Sequence, residues 1–253
     1  MNATAEVLAL QETLYTSKNP TRRWLHCTRR DWVIDALRRT KREGMRRAAE
    51  IGPGSGVYLP VLAELYDEVV ATDIDEAFLD RARELARAHP NIRALADDVT
   101  ASSLPDAHLD LLLCSEVVEH IRDSQTALRE MRRVLRPGGV LVLSTPLKYS
   151  PLEQASKIAF LPGVVHVVRK IYGEPVLKQG HVNLMTEREV RAQLAGAGFR
   201  VVEHHKSGFY LPLVAEFGRD AAQSLLARME RRLRNGPLSG LLWTQYYVAI
   251  AEG

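Results

Sequence analysis

The stretch AAEIGPGSGVYLP, from Ala48 to Pro60, decides the fold. An apolar, strand-like segment runs into glycines at alternate positions, Gly52, Gly54 and Gly56, and a helix-like segment follows. In an open parallel sheet, a glycine-rich turn of this kind joins the first strand to its helix, and ligands bind beyond the carboxyl ends of the strands. The stretch therefore predicts a doubly wound α/β sheet with a ligand site at this turn.

The rest of the chain repeats this alternation of strand and helix. Apolar β-like segments alternate with amphipathic helical ones, which is typical of a parallel sheet covered by helices on both faces. The predicted strands are 48–52, 68–74, 92–99, 109–117, 139–145, 199–207 and 243–252. The predicted helices are 57–65, 76–88, 123–135 and 215–234, with another that begins at Asn19 and Pro20.

The composition is that of a globular protein with a sizeable core. The chain has 253 residues, 46% of them hydrophobic and 26% charged, which suits one α/β domain. Its net charge of +3 is a modest surplus, unlike the concentrated positive charge on the surface of nucleic-acid binders. No nucleic-acid partner is therefore expected. Cys27 and Cys114 have no metal-finger spacing, and the N-terminal residues lack a signal-peptide pattern. We therefore expect a cytoplasmic protein.

The glycine order discriminates between two nucleoside cofactors. Dinucleotide enzymes favour G-x-G-x-x-G, whose third glycine packs helix against strand, whereas Val57 occupies that position here. Glu50 directly precedes the turn. A carboxylate repels a pyrophosphate but attracts an ammonium or sulfonium group. The turn therefore favours a cationic cofactor over a nicotinamide dinucleotide, although an NAD(P)-dependent oxidoreductase stays the alternative.

Acidic residues follow the second and third predicted strands. Asp73 ends the second strand, where a carboxylate can accept from both ribose hydroxyls. It could instead cap the helix that follows. Asp97 and Asp98 end the third predicted strand, where a carboxylate could accept from an adenine amino group while the Val99 amide donates to the ring. Both could instead be solvated turn residues.

Five segments taken in order resemble the class I S-adenosylmethionine-dependent methyltransferases: EIGPGSG, VVATDID, ALADDV, LDLLLCSEVVEH and LREMRRVLRPGGVLVLSTP. The resemblance covers roughly 48–146. NPTRR near the N-terminus and the segment 180–203 are similar to the ubiquinone-biosynthesis type of O-methyltransferase. The resemblance implies a Rossmann-like seven-stranded sheet of order 3-2-1-4-5-7-6 with the seventh strand antiparallel.

The resemblance also implies one methyltransferase domain over 1–253. Its parts would be an N-terminal helical cap (1–45), a cofactor-binding core (46–146), a helical lid insertion (147–180) and the C-terminal part of the sheet (181–253). The cofactor would be S-adenosyl-L-methionine. Its methionine part would contact Glu50, Gly52, Gly54 and Gly56, and Arg22 would pair with its carboxylate. Asp73 would hold the ribose, Ile74 would pack on the adenine, and Asp98 and Val99 would bind the adenine edge, with Asp97 the alternative to Asp98 if the register shifts by one residue. Cys114 and Ser115 would line the remaining side. Arg22 could instead belong to a solvated basic helix face with Arg23, Arg29 and Arg30.

Methyl transfer is an in-line displacement, so the protein must align a nucleophile with the methyl group and exclude water. A hydroxyl nucleophile also needs a general base or a cation. Glu116, Glu119 and His120 are spaced to share one helical face, where they could hold a divalent metal ion or a catechol-like substrate. Alternatively, Glu119 and His120 hydrogen-bond the next helix. His120 is the first candidate base and His181 the second, unless His181 is an ordinary loop histidine.

The insertion carries an amphipathic stripe formed by Val164, Val168, Ile171 and Tyr172. This stripe predicts either a lid packed on the core or a peripheral membrane contact through 157–172. Three functions therefore remain. The first is methyl transfer to a hydroxyl oxygen of a quinone-precursor, lipid-like or natural-product acceptor. The others are nicotinamide-dependent oxidoreduction and cofactor binding without catalysis.

Overall fold

The computed structural model describes residues 8, 10, 11, 13–159 and 180–253. The strands are β1 (Arg47–Ile51), β2 (Glu68–Asp73), β3 (Ile92–Ala96), β4 (Leu109–Ser115), β5 (Leu135–Pro146), β6 (Phe199–Ser207) and β7 (Thr244–Ala251). The helices are α1 (Pro20–Thr40), α2 (Leu59–Leu65), α3 (Glu76–Ala86), α4 (Ser124–Val134), α5 (Pro151–Ala159), α6 (Glu187–Gly196) and α7 (Pro212–Leu233). Short 3-10 helices cover Val118–His120 and Ser239–Leu241.

The seven strands form one sheet in the order β3-β2-β1-β4-β5-β7-β6. Strand β7 runs antiparallel to β5 and β6, while the pairs among β1 to β5 are parallel. The order and the antiparallel seventh strand confirm the predicted topology. The carboxyl ends of β1, β2, β3, β4 and β5 meet at one edge of the sheet, which collects the polar residues that follow them.

Apolar residues cover both faces of the central strands. In β4, LDLLLCS is buried from Leu109 to Cys114 because helices lie on either side of the sheet. One core cluster packs α4 and α6 on the first face, and the other packs α1, α2 and α3 on the second. These layers hold the strand ends in fixed positions.

Helix α1 begins where the sequence predicts. The Asn19 side chain caps it by accepting a hydrogen bond from the Arg22 amide, and Pro20 is its first residue. Leu25, Val33 and Leu37 are buried on its inner face. Through Val33 and Leu37, α1 packs on the face of the sheet that α2 and α3 also cover.

The sequence prediction contained no helix at α6, and it placed α5 only within a helical insertion, 147–180, without bounds of its own. Helix α6 begins with a capping box in which Thr186 and Glu189 exchange hydrogen bonds, and the T-x-x-E spacing was its local signal. Helix α5 begins after Ser150, whose hydroxyl accepts from the Glu153 amide. The third strand is shorter than predicted, because the chain leaves the sheet after Ala96 to place Asp97 and Asp98 in a turn.

The predicted amphipathic stripe, and with it most of the proposed membrane contact at 157–172, lies outside the described residues. Of the predicted insertion, the structure describes 147–159, which includes α5, and residue 180. None of the described helices combines the length and the apolar character that a membrane crossing requires.

Two neighbouring histidines of β6 make stability depend on pH. His204 stacks on Tyr247, and partial burial lowers the pKa of both His204 and His205 from 6.5 to about 4. The unfolded chain therefore binds more protons between these values, and we expect the free energy of unfolding to fall as the pH decreases through this range. Denaturant unfolding near neutral pH and at about pH 5 measures the difference. A His204→Gln/His205→Gln variant should show a smaller difference, and an equal one would contradict this assignment.

Candidate cofactor and acceptor site

The glycine turn after β1 packs too closely for side chains. Gly52 has φ +66°, and its amide donates to the Thr72 carbonyl over 2.8 Å. A Cβ here would lie 2.5 Å from Val117 in the loop after β4. A Cβ at Gly56 would lie 2.4 Å from Leu85 of α3. These close contacts and the positive φ values require glycine at both positions whether or not a ligand binds.

Gly54 lies beneath the N-terminal segment. A Cβ on Gly54 would lie 2.6 Å from the Gln11 side-chain oxygen, so residues preceding α1 cover the turn. The Gln11 oxygen is buried and has no hydrogen-bond partner among the described residues. The buried Gln11 oxygen that covers the turn is therefore available to a ligand.

Glu50 is the most unusual residue beside the turn. Its side chain is 2% exposed, and its Oε2 atom has no hydrogen-bond partner within the described part of the chain. Burial raises the pKa of this carboxyl well above its usual value. An unpaired buried carboxyl group is costly, so its presence indicates a site that accepts a cation or a hydrogen-bond donor.

Asp73 and Asp75 have different roles at the end of β2. The cap of α3 is Asp75, whose carboxylate accepts from the Ala77 amide. Asp73 is therefore not the capping residue, the alternative that the sequence had left open. Its carboxylate accepts from the Asp75 amide over 2.9 Å, and partial burial raises its pKa. Ile74 between them is 79% exposed, so an apolar surface stands beside this carboxylate.

The two carboxylates after β3 differ in what they already bind. Asp97 uses both oxygens, on the Ser102 hydroxyl and on the amide and hydroxyl of Ser103. Asp98 is exposed, and its hydrogen bonds to Thr100 lower its pKa. Val99 is partly buried against the core. This arrangement supports Asp98 over Asp97 as the residue available to a ligand.

The end of β4 lies next to the end of β1, with Cys114 opposite Ile51. Cys114 is fully buried in the core, and burial raises the pKa of its thiol. The Ser115 hydroxyl hydrogen-bonds the Ser144 hydroxyl of β5 over 2.9 Å. The Cys114 side chain thus belongs to the core, which leaves its backbone for the predicted contact.

Arg29 differs most from the sequence interpretation. Rather than lying on a solvated face, its guanidinium is buried at 8% exposure and donates to Glu116 Oε2 over 2.7 Å. It also lies 5.2 Å from the Trp243 ring, and its Nε atom has no hydrogen-bond partner among the described residues. The interpretation as a solvated residue is therefore wrong, because α1 faces the sheet edge at this position.

Glu116 does not join Glu119 and His120. It has φ +59°, a conformation that ends β4 and prevents a continuous helical turn through these residues. Its carboxylate binds Arg29 and accepts from the Ser144 hydroxyl over 3.0 Å. The predicted helical trio is therefore not formed.

His181 takes the place of Glu116 in that trio. Glu119, His120 and His181 each place one oxygen or ring nitrogen within 4.8 Å of the other two. Glu119 is fully buried and accepts from the Thr145 hydroxyl, while its Oε1 has no partner in the described ranges. Burial raises the pKa of Glu119, and partial desolvation together with His181 lowers that of His120. Three acceptor groups therefore converge and could receive a substrate hydroxyl or a divalent ion.

His181 is held by a residue that the sequence did not single out. Its Nδ1 lies 3.0 Å from Oε2 of Glu153, whose Oε1 accepts from the Trp243 indole over 3.1 Å. Arg29, Glu153 and Trp243 were all missed as site residues. Arg29 had a weak signal, since it stands four residues from both Leu25 and Val33 and so shares the apolar face of the predicted helix. Glu153 and Trp243 had none, because their partners lie far away in the sequence.

Comparison with known proteins matches residues 49–143 to the family model of a methyltransferase domain. A protein from Mycolicibacterium smegmatis named "Probable S-adenosylmethionine-dependent methyltransferase" is 29% identical over 76% of this chain and 66% of its own length. The malonyl-[acyl-carrier protein] O-methyltransferase of Serratia marcescens is 38% identical over 38% of this chain and 36% of its length.

Similarity to solved structures extends over nearly the whole chain. A candidate sarcosine dimethylglycine methyltransferase from Galdieria sulphuraria superposes with a TM-score of 0.65 and 14% identity, covering 98% of both chains. This likeness concerns the fold. The chain spans 66% of the length of the Mycolicibacterium relative and 48% of two similarly named relatives from Mycobacterium tuberculosis. Neither oxidoreductases nor non-catalytic modules are favoured by these comparisons.

Proposed function

We propose that this chain, a class I S-adenosylmethionine-dependent methyltransferase by its matching domain and its fold, transfers a methyl group from S-adenosyl-L-methionine to a small-molecule acceptor. The observation that carries the proposal is the buried Oε2 of Glu50 beside the glycine turn, an atom without a hydrogen-bond partner among the described residues. The cofactor ammonium would satisfy this atom and compensate for its burial.

Arg29 supports the proposal from the opposite side. Its Nε has no hydrogen-bond partner in the described part of the chain and could donate to the cofactor carboxylate. Arg29 and Glu50 both influence the pKa values of Tyr15 and Tyr58, so two groups able to carry opposite charge lie near the same pair of tyrosines. A zwitterionic amino-acid group fits between such groups, so we add Arg29 to Arg22 as a ligand of the carboxylate.

The nucleoside would occupy the ends of β2 and β3. Asp73 would hold the ribose hydroxyls, and the exposed Ile74 would pack on the adenine. Asp98 and the Val99 amide would bind the edge of the adenine ring. The backbone of Cys114 and Ser115 would line the remaining side.

The acceptor would lie against Glu119, His120 and His181. A hydroxyl oxygen fits three converging acceptor groups, because its proton can be donated to one of them as the oxygen attacks the methyl group. The class of acceptor, a quinone-precursor, lipid-like or natural-product hydroxyl, follows the resemblance to the ubiquinone-type enzymes. A divalent ion bound by the same groups is the alternative, which activity assays with added Mg²⁺ or with a chelator distinguish.

Ligand selectivity tests the proposed cofactor. We expect S-adenosylhomocysteine to raise the melting temperature and NADH to leave it unchanged, because only a ligand of the native state stabilises it. At about 100 times Kd the stabilisation is about 2.7 kcal/mol. An Asp73→Asn variant should show a smaller shift at equal ligand concentration. Stabilisation by NADH alone would overturn the proposal.

Catalysis is tested separately from binding. We expect S-adenosylhomocysteine to accumulate when the chain is incubated with S-adenosylmethionine and a panel of phenols, catechols, sugars and hydroxylated lipids. Binding without turnover across this panel would instead support a cofactor-binding module.

A further inference from the structure

Glu153 of α5 is a buried carboxylate whose two oxygens are both engaged. The residue is 2% exposed. Oε1 accepts from the indole nitrogen of Trp243 over 3.1 Å, and Oε2 lies 3.0 Å from His181 Nδ1. Because the indole can only donate, Glu153 must act as the acceptor toward Trp243. The carboxylate therefore bridges the entrance of β7 and the segment that precedes α6.

The same contact determines which nitrogen of His181 is protonated. A carboxylate oxygen accepts, so the hydrogen bond requires a proton on Nδ1. In the neutral ring Nε2 then carries the lone pair. His120, whose ring packs edge-on at 5.1 Å, is also held, since it hydrogen-bonds the Gly180 backbone. Both imidazoles are therefore oriented by groups outside the acceptor pocket.

We infer that Glu153 is a positioning residue for methyl transfer. It holds His181 as the Nδ1-protonated tautomer and leaves Nε2 to take the proton of the acceptor hydroxyl, while the hydroxyl oxygen bonds the methyl carbon and the sulfur–methyl bond breaks to release S-adenosylhomocysteine. This last step rests on the proposed function, whereas the tautomer rests on the contacts of Glu153 alone. The bond also ties α5, the first helix of the insertion, to the catalytic face, since no other described residue bonds to the His181 ring.

A structural role for Glu153 would look different in experiment. If it only satisfied the Trp243 indole, its loss would lower stability without changing the state of His181. Gln154, its neighbour on α5, supplies a matched control, because its side chain donates to the Lys148 carbonyl over 2.7 Å, whereas the His181 ring is bonded by Glu153 among the described residues. Gln154→Ala removes a hydrogen bond from the same helix and leaves the carboxylate in place.

The experiment uses the full chain with S-adenosylhomocysteine bound. Long-range ¹H–¹⁵N spectra of the histidine side chains report the tautomer, and His181→Asn identifies the His181 signals. We expect Nδ1–H in the native chain and in Gln154→Ala, and a changed tautomer or a mixture in Glu153→Gln. An Nε2–H tautomer in the native chain, or spectra that Glu153→Gln leaves unchanged, would overturn the inference.

Kinetics supply the second readout, with any acceptor that the panel identifies. Glu153→Gln should lower kcat about 100-fold, in the range of one lost proton-transfer group, with KM for both substrates changed less than about threefold. Gln154→Ala should keep kcat within about threefold of native. An equal loss in both variants would reduce Glu153 to a structural residue. A chain without any turnover would contradict the proposed function, while the spectra would still decide the tautomer.

Discussion

Glu50→Gln is expected to weaken the binding of S-adenosylhomocysteine about 100-fold, or by about 2.7 kcal/mol. The Oε2 of Glu50 is buried and has no partner within the ranges that the structure describes, and the proposed ammonium group is the cation that would pair with it. Glutamine keeps the volume and removes the charge, so the loss isolates the ion pair. Isothermal titration calorimetry measures the affinity. We expect the melting temperature of the ligand-free variant to stay the same or rise, because the native carboxyl is buried at a cost.

Release of a proton on ligand binding is a second, independent test of the ion pair at Glu50. Burial raises the pKa of Glu50, so the ligand-free carboxyl holds a proton below that raised pKa. An adjacent ammonium stabilises the carboxylate and lowers the pKa again. Binding should then release up to about one proton, which appears as a dependence of the binding heat on the buffer. Glu50→Gln should abolish it. Unchanged affinity together with unchanged proton release would rule out the ion pair.

Arg29→Met is expected to destabilise the protein by about 2 to 3 kcal/mol, because it leaves the part-buried Glu116 carboxylate without its charged partner. It should also weaken S-adenosylhomocysteine binding, since the cofactor carboxylate loses its proposed donor. Denaturant unfolding and calorimetry measure the two effects. A double variant Arg29→Met/Glu116→Gln should recover stability but not affinity, which separates the two roles.

Arg30→Met is the matched control for Arg29. Arg30 neighbours it on α1 but pairs with Asp31 at the surface, where an ion pair contributes about 1 kcal/mol or less. We expect this variant to keep both stability and affinity close to native. If Arg29→Met behaved in the same way, the buried pair would have no part in the fold or in the cofactor site.

Local patterns of the sequence determined the framework of this protein. Strand β6 was predicted with its observed limits, Phe199 to Ser207, and the other strands within a few residues. Apolar runs and glycine turns are properties of contiguous residues, so they can be read before folding. The topology followed from the ordered motifs and their family resemblance. The positions of Glu50, Asp73 and Asp98 at strand ends were predictable for the same reason.

The tertiary structure alone decided how the side chains of the site pair. Arg29 of α1 meets Glu116 at the end of β4, and Glu153 of α5 meets His181 before α6, because the fold brings these distant segments together. Helical spacing suggested Glu116 for the acceptor trio, but a positive φ at the end of β4 turns it away and His181 replaces it. Such pairings depend on the relative placement of elements distant in the chain, and no local pattern carries that information.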